Sequence, residues 1–542
     1  RRTRLELAAP STSTPPHHSP FRLSSRLHLL ADAMLVAIVT LLCLAPARAA
    51  PADVCSAVTQ KQDCGFVGID QSGCEQKGCC WQPASSNEPW CFFKAQSSSS
   101  CFAFPSTPAS EPPFSSDQIE SMKTLFLKNI GVQGTGAVVA APDPNTPGGS
   151  YYYHWERDGA LTMTALQLNA QATTAQLRAY AEWVAARQAM ADPHSIDVRT
   201  EPKYEIPSGA VYDGAWCRPQ NDGPGLRAIA LLLFAERLMA SGNATEIAYV
   251  KSKLWRDSAD GVIQQSLKYL TDGGWSTDTC DLWEEVRSAD FFWNRVTMKR
   301  ALEKGADFDA KFAGGKLAAT YRQLASQIGA ALSSGSHFAN GYIFESTNRP
   351  IDGAVIVALN MGFDDPSPTY TPAADQVAST VLAYNYAFCN EYPINTADSA
   401  AAVPGVLYGR YPGDHYAGGN PWVLTSAALA QLLYRVAHAA AEGAALSAAA
   451  LADWAKALNT PMDAASAAKK LLAAGDAVLA RVQTHVKADG GRLDEQIDKN
   501  TGKQVSAKSL TWSYAEVLNA LHWRAQAKTA VAKSVVEATL AA

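Results

Sequence analysis

A short segment of the chain combines three acidic residues with tryptophan. In DLWEEV, Glu284 stands between Trp283 and Glu285, and Asp281 lies three residues earlier. A neighbouring indole and a like charge both favour the protonated form of a carboxyl, which is what a general acid needs near neutral pH. Asp281 and Glu284 also have the spacing of a capping box, so the same residues could simply cap a helix that runs over about 282–304. The segment therefore predicts either an acid catalyst or a helix start.

Several loops combine aromatic rings with carboxylates and guanidinium groups. These loops are PGGSYYYHWERDG, YDGAWCRPQNDG, TDTCDLWEE, YGRYPGDHYAGGNPW and GGRLDEQIDKNTG. Aromatic faces stack on the apolar faces of sugar rings, while Asp, Glu and Arg bind hydroxyl groups. Each loop could instead pack only against its own helices, but five such loops favour a sugar site.

Composition excludes several classes of protein. The chain has 542 residues and a formal charge of −5, so it lacks the basic surface of a nucleic-acid-binding protein. Hydrophobic residues make up 47% and charged residues 18%, which indicates a folded core rather than disorder. No apolar run reaches the roughly 20 residues that a membrane-spanning helix needs.

The elements that carry these loops are predicted to be helices. Apolar residues recur at helical spacing from about residue 117 onward, and no long alternating strand pattern competes with them. The predicted segments lie near 117–131, 158–171, 174–191, 222–242, 246–270, 282–304, 315–334, 372–387, 420–441, 462–487, 509–524 and 526–541. Twelve segments joined by short loops predict an all-α domain of paired helices. Periodicity leaves open whether the pairs form a ring or a stack.

The first part of the chain is interpreted as a leader. Residues 1–33 are an upstream extension rich in Ser, Pro and Arg, and we expect them to be dispensable. Residues 34–49 have a short apolar run followed by Ala-Arg-Ala, the form of a signal peptide, so we expect secretion. The sequon at Asn243 predicts N-glycosylation and agrees with secretion.

Six cysteines are concentrated in a small module at about 53–94, which is too short to bury a core without disulfides. A Ser/Pro-rich stretch at 95–116 is predicted to be a linker. Four further cysteines, Cys101, Cys217, Cys280 and Cys389, are scattered and allow three pairings, among which the sequence does not choose.

The region 117–542 resembles the glucoamylases, glycoside hydrolase family 15. The motifs that carry the resemblance are KNIG, YYYHWERDGAL, AWCRPQNDGPGLRA, DLWEEV, GRYPGDHYAGGNPW and DEQIDKNTGKQVSAKSLTWSYAE, in family order. The resemblance implies an (α/α)6 toroid of six helical hairpins with a funnel-shaped pocket. It implies exo-acting release of glucose from the non-reducing ends of α-1,4 glucans such as starch and glycogen, with inversion.

The resemblance also implies roles for the acidic residues. Glu284 is the general acid, Glu285 a substrate-binding carboxylate, and Asp281 a supporting residue or proton acceptor. Glu495 matches the water-activating glutamate and lies 495 − 284 = 211 residues downstream of the acid. An inverting pair of carboxyls lies roughly 6.5–9.5 Å apart and a retaining pair roughly 5–5.5 Å, a difference that sequence does not measure. The segment around Glu495 could also be a solvated acidic turn.

Further substrate-binding residues follow from position in the family motifs. They are Tyr151, Trp155, Arg157, Asp158, Trp216, Arg218, Arg410, Asp414 and Trp422. Cys217 stands where the family more often has glycine. No metal-ligand spacing stands out, the mechanism needs no cofactor, and we expect a monomer.

The small module resembles a P-type (trefoil) domain through its adjacent Cys79-Cys80 and the closing Trp-Cys-Phe. The resemblance implies the pairs Cys55–Cys80, Cys64–Cys79 and Cys74–Cys91. The module could dock on a glycan or cell surface, or only stabilise the chain.

Three alternative functions stay open at this level. The first is a related family-15 exo-α-glucosidase acting on trehalose, isomaltose or dextran. The second is a retaining α-glucosidase with a trefoil module, but that class has a (β/α)8 barrel, which the helical pattern disfavours. The third is a secreted lectin-like protein, which the two acidic segments disfavour.

Overall fold

The computed structural model describes residues 55, 61, 69–76, 79–84, 89–92, 101–169, 171–339, 341–347 and 349–541. The predicted upstream extension (1–33) and signal peptide (34–49) lie outside the described residues.

The described part of the chain is dominated by helices. The helices are α1 (Gln71–Gln76), α2 (Ser116–Lys128), α3 (Glu156–Leu168), α4 (Thr174–Gln188), α5 (Asp222–Ala240), α6 (Ala244–Tyr249), α7 (Val262–Thr271), α8 (Phe292–Phe312), α9 (Ala318–Leu332), α10 (Ala354–Gly362), α11 (Asp375–Glu391), α12 (Pro393–Ala400), α13 (Val423–Ala441), α14 (Ala448–Ala457), α15 (Ala464–Val486) and α16 (Thr511–Ala541). None of these helices is long and apolar enough to cross a bilayer.

Six of the helices form a closed inner ring. In order, α3 packs against α5, α5 against α8, α8 against α10, α10 against α13, and α13 against α16. Helix α16 then packs against α3 and closes the ring. Along the chain an outer helix precedes each inner helix, and the outer helices are α2, α4, α7, α9, α11 and α15. The predicted (α/α)6 toroid is confirmed, and the open choice between ring and stack is decided for the ring.

The core lies between the inner and outer layers and inside the ring. Helix α10 is buried on all sides from Ala354 to Met361, and α13 is buried along most of its length. By contrast, the outer helix α4 alternates buried and exposed residues, as an amphipathic surface helix does.

The predicted helix over 282–304 is wrong over its first ten residues. The helix begins at Phe292, and residues 281–286 form a tight turn between the strands β5 (Thr279–Cys280) and β6 (Arg287–Ser288). Glu284 has φ +67°, which no right-handed helix allows. The interpretation of Asp281 and Glu284 as a helix cap is therefore wrong.

Other helix boundaries also differ from the predicted ones. The segments 509–524 and 526–541 are one helix, α16, and 246–270 contains α6, a π-helical turn (Val250–Leu254) and α7. Helices α10, α12 and α14 have no counterpart among the predicted segments.

Short two-stranded ribbons hold the loops at one end of the ring. The ribbon of β3 (His154–Trp155) and β4 (Lys203–Tyr204) leads into α3. The ribbon of β7 (Phe338–Ala339) and β8 (Tyr342–Ile343) lies between α9 and α10 in the chain. The ribbon of β9 (Gln496–Ile497) and β10 (Gln504–Val505) follows Glu495. The first and last of these ribbons fix the loops that carry the aromatic and acidic residues.

The four scattered cysteines form two disulfides. Cys101 pairs with Cys389, and Cys217 pairs with Cys280. Cys101 lies in the predicted linker 95–116. The part of that linker from residue 101 has no helix before α2, as expected, but it packs against the ring, because Phe102 and Phe114 are buried in the main core.

The small module is described only in part. A two-stranded ribbon of β1 (Cys80–Trp81) and β2 (Cys91–Phe92) pairs Cys80 with Phe92 and Trp81 with Cys91. The disulfides Cys55–Cys80 and Cys74–Cys91 are present, as the resemblance implies. Cys79 is disulfide-bonded, but its expected partner, Cys64, lies outside the described residues.

Candidate active site

A cavity of about 250 Å³ opens at the end of the ring where the inner helices begin. The side chains around it come from the starts of α3 and α16 and from the loops that precede α5, α8 and α13. The lining residues are Ala140, Gly148, Tyr151, Trp155, Arg157, Asp158, Trp216, Leu282, Trp283, Glu284, Glu285, Arg410, Tyr416, Trp422, Glu495, Leu510 and Trp512. The cavity thus contains both acidic segments and most of the predicted aromatic residues.

Glu284 is presented to the cavity by the tight turn 281–286. The Glu284 N–H donates to the Asp281 carbonyl at 3.1 Å, and Asp281 N–H donates to the Val286 carbonyl at 2.9 Å. The Glu284 Oε1 accepts hydrogen bonds from the Trp155 indole and the Gln220 amide, both at 2.9 Å. In the described part of the chain no hydrogen bond reaches Oε2. One oxygen is therefore held in place while the other faces the cavity.

The strained backbone of Glu284 is held by the side chain of Asp281. The Asp281 Oδ1 accepts from the backbone N–H groups of Glu285 at 2.7 Å and Val286 at 3.0 Å. The Arg349 guanidinium donates to Asp281 Oδ2 at 2.6 Å and to Glu285 Oε2 at 3.0 Å. These contacts explain how a non-glycine residue can persist at positive φ.

The negative charge of Glu285 is compensated by arginine side chains, in addition to lying beside the carboxylate of Glu284. Arg410 donates to Glu285 Oε1 at 2.7 Å, and the Tyr411 hydroxyl donates to Oε2 at 2.5 Å. Arg349 completes the arrangement. The expected repulsion between Glu285 and Glu284 is therefore offset by two guanidinium groups. The indole that contacts Glu284 is that of Trp155, whereas the Trp283 indole donates to Asp352 at 2.8 Å.

Glu495 lies at the cavity wall and is buried. Its backbone is fixed by hydrogen bonds to Ala507 at 2.9 Å and from Val423 at 3.1 Å. Its carboxyl accepts hydrogen bonds from the Tyr151 hydroxyl at 2.9 Å and from the Ser506 hydroxyl. Burial raises the pKa of Glu495 to about 7, and these two hydroxyl donors oppose the rise. The alternative of a solvated acidic turn does not fit a side chain that is 1% exposed.

The contact between Ser506 and Glu495 predicts a shift in pH dependence. Replacing Ser506 by Ala removes a donor that favours the ionised carboxylate, so the Glu495 pKa rises further. The resemblance implies that Glu495 is a general base, and a base that must be ionised loses its activity at a higher pH when its pKa is raised. We expect the acid limb of the kcat/KM profile to move up by about one pH unit.

The measurement is the pH profile of hydrolysis of a malto-oligosaccharide by both proteins. Ser333→Ala is the control, because the Ser333 hydroxyl donates to the Gly329 carbonyl at the outer layer. We expect its profile to match the wild type. A downward shift for Ser506→Ala would contradict the assignment of that limb to Glu495.

Arg157 and Asp158 lie in the first turn of helix α3 and line the cavity. Arg157 donates to Asp222 Oδ2 at 2.8 Å and to Gln220 Oε1 at 2.6 Å, and its Nη1 lies 3.6 Å from Glu284 Oε1. No other residue in the described ranges donates a hydrogen bond to the Asp158 carboxyl. Burial raises the pKa of Asp158 to about 7, against the lowering effect of Arg157. Asp158 is thus free to accept from a ligand, and Arg157 braces the site.

Three aromatic side chains that line the cavity, Tyr151, Trp155 and Trp216, form an aromatic wall. Tyr151 and Trp216 each lie within 6 Å of the Trp155 ring centroid, at 5.6 and 5.8 Å. The ammonium group of Lys203 lies 3.6 Å from the Trp216 ring centroid and 4.4 Å from that of Trp155. Burial lowers the pKa of Lys203 to about 8.

Three predicted site residues do not line the cavity. Arg218 donates to Glu201 and to the carbonyls of Gly214 and Tyr212, so it supports a loop. Asp414 binds Arg410 through both carboxylate oxygens, at 2.8 and 2.6 Å. Asp281 acts on the turn described above. Each of the three supports its neighbours without reaching the cavity.

Several residues of the site have no counterpart among the predicted ones. Gln220, Tyr416, Ser506 and Trp512 stand inside the quoted motifs, so their positions in those motifs were a usable signal. Lys203 stands in no quoted motif, and only its place on β4 brings it to the aromatic wall.

The disulfide Cys217–Cys280 joins two walls of the site. Cys217 follows Trp216 of the aromatic wall, and Cys280 precedes Asp281 of the acid turn. The Cys280 N–H also donates to the Pro219 carbonyl at 2.9 Å. The cysteine that departs from the family pattern therefore fastens one loop to the other.

Removing this disulfide by Cys217→Ala with Cys280→Ala is expected to cost about 2–4 kcal/mol of unfolding free energy, because it closes a long loop. We expect kcat/KM to fall as well, since the loop of Trp216 and Gln220 is released from the acid turn. Denaturant unfolding and steady-state kinetics measure the two effects.

Removing the disulfide Cys101–Cys389 by alanine substitutions is the matched control. That pair lies away from the cavity, so we expect lower stability with unchanged kcat/KM. Equal loss of activity in both double variants would contradict a local role of Cys217–Cys280.

Two other predicted features concern the surface and metals. Asn243 is exposed and caps α6, where its side chain accepts from the N–H groups of Thr245 and Glu246. Among the described residues there is no group of three or more His, Cys, Asp or Glu side chains arranged to hold a metal ion.

Comparison with known proteins gives two family matches. Residues 121–522 match the family described as Glycosyl hydrolases family 15, and residues 55–94 match the Trefoil (P-type) domain. The chain is 32% identical to Glucoamylase-1 of Schizophyllum commune over 431 residues, covering 74% of this chain and 72% of that protein. It is 30% identical to Glucoamylase 1 of Rhizopus oryzae over 436 residues, covering 75% and 70%.

Solved structures agree with these matches. The glucoamylase from Saccharomycopsis fibuligera is similar with a TM-score of 0.66 and 25% identity, covering 79% of this chain and 99% of that one. The glycoside hydrolase family 15 glucoamylase from Hypocrea jecorina gives a TM-score of 0.65 at 27% identity, covering 76% and 71%.

Proposed function

The chain belongs to glycosyl hydrolase family 15, and from this premise we propose that it is an exo-acting glucan 1,4-α-glucosidase. It would release β-D-glucose from the non-reducing ends of starch, glycogen and malto-oligosaccharides. The observation that carries the proposal is that Glu284 and Glu495 line one cavity together with Asp158 and the aromatic wall. At about 250 Å³ the cavity is smaller than the roughly 300–1,000 Å³ of pockets for drug-sized ligands, so it suits one terminal sugar ring.

Glu284 is proposed as the general acid. Its Oε1 is occupied by Trp155 and Gln220, so its Oε2 is the oxygen available to give a proton to the glycosidic oxygen. The bond between the anomeric carbon and that oxygen breaks as the proton arrives. Electron-rich rings of the aromatic wall then face the positive charge that develops on the sugar ring.

Glu495 is proposed as the general base. It would take a proton from a water molecule, whose oxygen attacks the anomeric carbon from the face opposite the leaving group. The hydrogen bonds from Tyr151 and Ser506 support this role, because they favour the ionised carboxylate. After one cycle the configuration at the anomeric carbon is inverted, Glu284 is ionised and Glu495 is protonated, and exchange with water restores both.

The remaining residues would hold the terminal glucose. Asp158 is proposed to accept hydroxyl hydrogen bonds, since no other residue in the described ranges donates one to it. Arg410 and Glu285 form a charged edge to the cavity, and Trp422 lies beside Arg410, whose guanidinium carbon is 5.6 Å from its ring centroid. Asp281 is proposed as a positioning residue for Glu284 and not as a proton acceptor.

Domain boundaries and location are also proposals. We propose a leader to residue 49, a trefoil module at 53–94 and a catalytic domain at 117–542, with residues from 101 packed on that domain. The disulfides of the described part support an oxidising, extracellular location. We propose that the trefoil module contacts a glycan or cell surface and that the enzyme is a monomer.

The test is proton NMR of maltotetraose incubated with the protein, following the first anomer of glucose that appears. Early β-glucose is the expected result. Early α-glucose would mean retention and would contradict the roles given to both glutamates. Trehalose, isomaltose and dextran serve as comparison substrates, and faster release from any of them would indicate the related exo-α-glucosidase. Binding of maltotetraose without any release would indicate a lectin-like protein.

A further inference from the structure

A second cavity, of about 520 Å³, lies inside the ring beyond the catalytic cavity. All six inner helices contribute to it, with residues further along each helix than those near the catalytic cavity. In α3 the catalytic cavity takes Arg157 and Asp158, whereas the second cavity takes Thr164 and Gln167. The second cavity therefore lies toward the opposite end of the ring and is a separate space.

Buried polar side chains around this second cavity have unused hydrogen-bonding groups. Gln431 is 5% exposed, and its side chain has no hydrogen-bond partner in the described part of the chain. Asn360 donates to the Ala428 carbonyl at 2.8 Å, but its Oδ1 has no donor there. Glu516 accepts from the Trp512 indole at 2.9 Å through one oxygen, and no described residue donates to the other. Buried groups of this kind are usually satisfied, so they indicate an occupant.

The charged groups around the second cavity are already paired. Asp364 accepts from Arg435 and lies 3.2 Å from an Arg300 nitrogen. Lys304 forms an ion pair with Glu236 at 3.3 Å. The unused groups are the amide oxygens of Asn360 and Gln431, one Glu516 oxygen, the Trp523 indole N–H, and the Nε–H groups of Arg300 and Arg435, whose other nitrogens are engaged. They need both donors and acceptors from the occupant, which an inorganic anion does not supply.

We propose that this second cavity is a binding site for a neutral polyhydroxyl ligand of one or two sugar rings. Sugar hydroxyls donate and accept at once, which matches the unused carboxyl and amide groups. The volume equals that of about 17 water molecules at roughly 30 Å³ each, so a sugar ring and accompanying water fit. The site itself does not depend on the proposed function, but glucose as its natural ligand does.

Glu516 connects the two cavities. Its carboxyl lines the second cavity and accepts from the Trp512 indole, whose ring lines the catalytic cavity. Burial raises the pKa of Glu516 to about 7, so the side chain is readily protonated. A ligand in the second cavity would thus contact a group that holds a wall of the catalytic cavity.

The experiment is equilibrium dialysis of radiolabelled glucose against the full-length protein, with three single variants and the double variant of Gln431→Leu and Asp158→Ala. Gln431→Leu removes polar groups of the second cavity at nearly constant volume. Asp158→Ala disables the catalytic cavity. Gln323→Leu is the matched control, because Gln323 is exposed on the outer helix α9.

We expect two equivalents of glucose bound to the wild type and to Gln323→Leu, one to each of Gln431→Leu and Asp158→Ala, and none to the double variant. Gln431→Leu should weaken the second site at least about tenfold. If the wild type binds only one equivalent of glucose, and Gln431→Leu abolishes that binding whereas Asp158→Ala does not, the second site is supported and the proposed function is contradicted. If the wild type binds only one equivalent and Asp158→Ala alone abolishes that binding, the inference of a second sugar site is overturned.

A crystal structure of the wild type with glucose covers the case in which Gln431→Leu does not fold. Sugar density beside Gln431 and Glu516 supports the proposal, and density for water alone overturns it.

Discussion

Glu284→Gln is expected to lower kcat on maltotetraose about 10³-fold, with KM changed less than about twofold. The glutamine keeps an oxygen that can accept from Trp155 and Gln220, so the turn and the cavity wall keep their geometry. It has no acidic proton for the leaving oxygen. The loss therefore falls on the chemical step and is measured by steady-state kinetics.

A second substrate distinguishes loss of the acid from general damage to the site. α-Glucosyl fluoride has a leaving group that needs little protonation, so the loss for Glu284→Gln should shrink to about tenfold or less. Glu285→Gln is the matched control on the neighbouring residue. It lacks the charge that faces Arg349 and Arg410, so we expect a raised KM on maltotetraose. An equal loss of kcat on both substrates for Glu284→Gln would contradict the role of acid.

Glu495→Gln is expected to lower kcat by about 10²–10³-fold on both maltotetraose and α-glucosyl fluoride. Activation of water is required whatever the leaving group, so a better leaving group does not rescue the loss. The amide can still accept from Tyr151 or Ser506 but does not take up a proton near neutral pH.

Glu284→Gln should therefore lose much more kcat on maltotetraose than on α-glucosyl fluoride, whereas Glu495→Gln should lose similar kcat on both. Glu516→Gln is the control for a buried glutamate outside the lining of the catalytic cavity, because its carboxyl only accepts a hydrogen bond from the Trp512 indole. Its kcat should stay within about tenfold of the wild type. Rescue of Glu495→Gln by the fluoride substrate would exchange the roles of acid and base.

Helix periodicity predicted most of the helices that form the ring, but not that they form a ring. Helix α10 was not predicted, because all of its residues from Ala354 to Met361 are buried and nearly all are apolar. Such a segment has no polar face, so its sequence shows no helical periodicity. Helix α16 was divided into two segments although its backbone is continuous from Thr511. These two errors offset each other, so the number of predicted segments matched the twelve helices of the two layers.

The acidic turn shows why local patterns did not give the site geometry. Asp281 and Glu284 have the spacing of a cap, but the ribbon of β5 and β6 and the hydrogen bonds from Glu285 and Val286 to Asp281 favour a turn. Arg349 stabilises that turn from a loop more than 60 residues away. Contacts between residues so far apart in sequence are not visible in the spacing of residues within one segment.

The family motifs predicted which loops meet, but not which side chains reach the cavity. Arg218 and Trp216 are two residues apart, yet only the tryptophan lines it, because Glu201 and two backbone carbonyls engage the guanidinium. Lys203 reaches the aromatic wall through a strand pairing that no quoted motif includes. Side-chain direction depends on partners that only the folded chain supplies.

The contact between α3 and α16 that closes the ring has a consequence for biosynthesis. Between the end of α3 and the start of α16 the ribosome adds 511 − 168 = 343 residues. At about 5–20 residues per second, that takes roughly 17–70 s. During this interval the flank of α3 that later packs against α16 has no partner, and a high contact order slows the final closure. Asp158 enters the exit tunnel long before Glu495, so the nascent enzyme acquires catalytic competence only after Glu495 and α16 have been synthesised, and assistance by chaperones matters most in that interval.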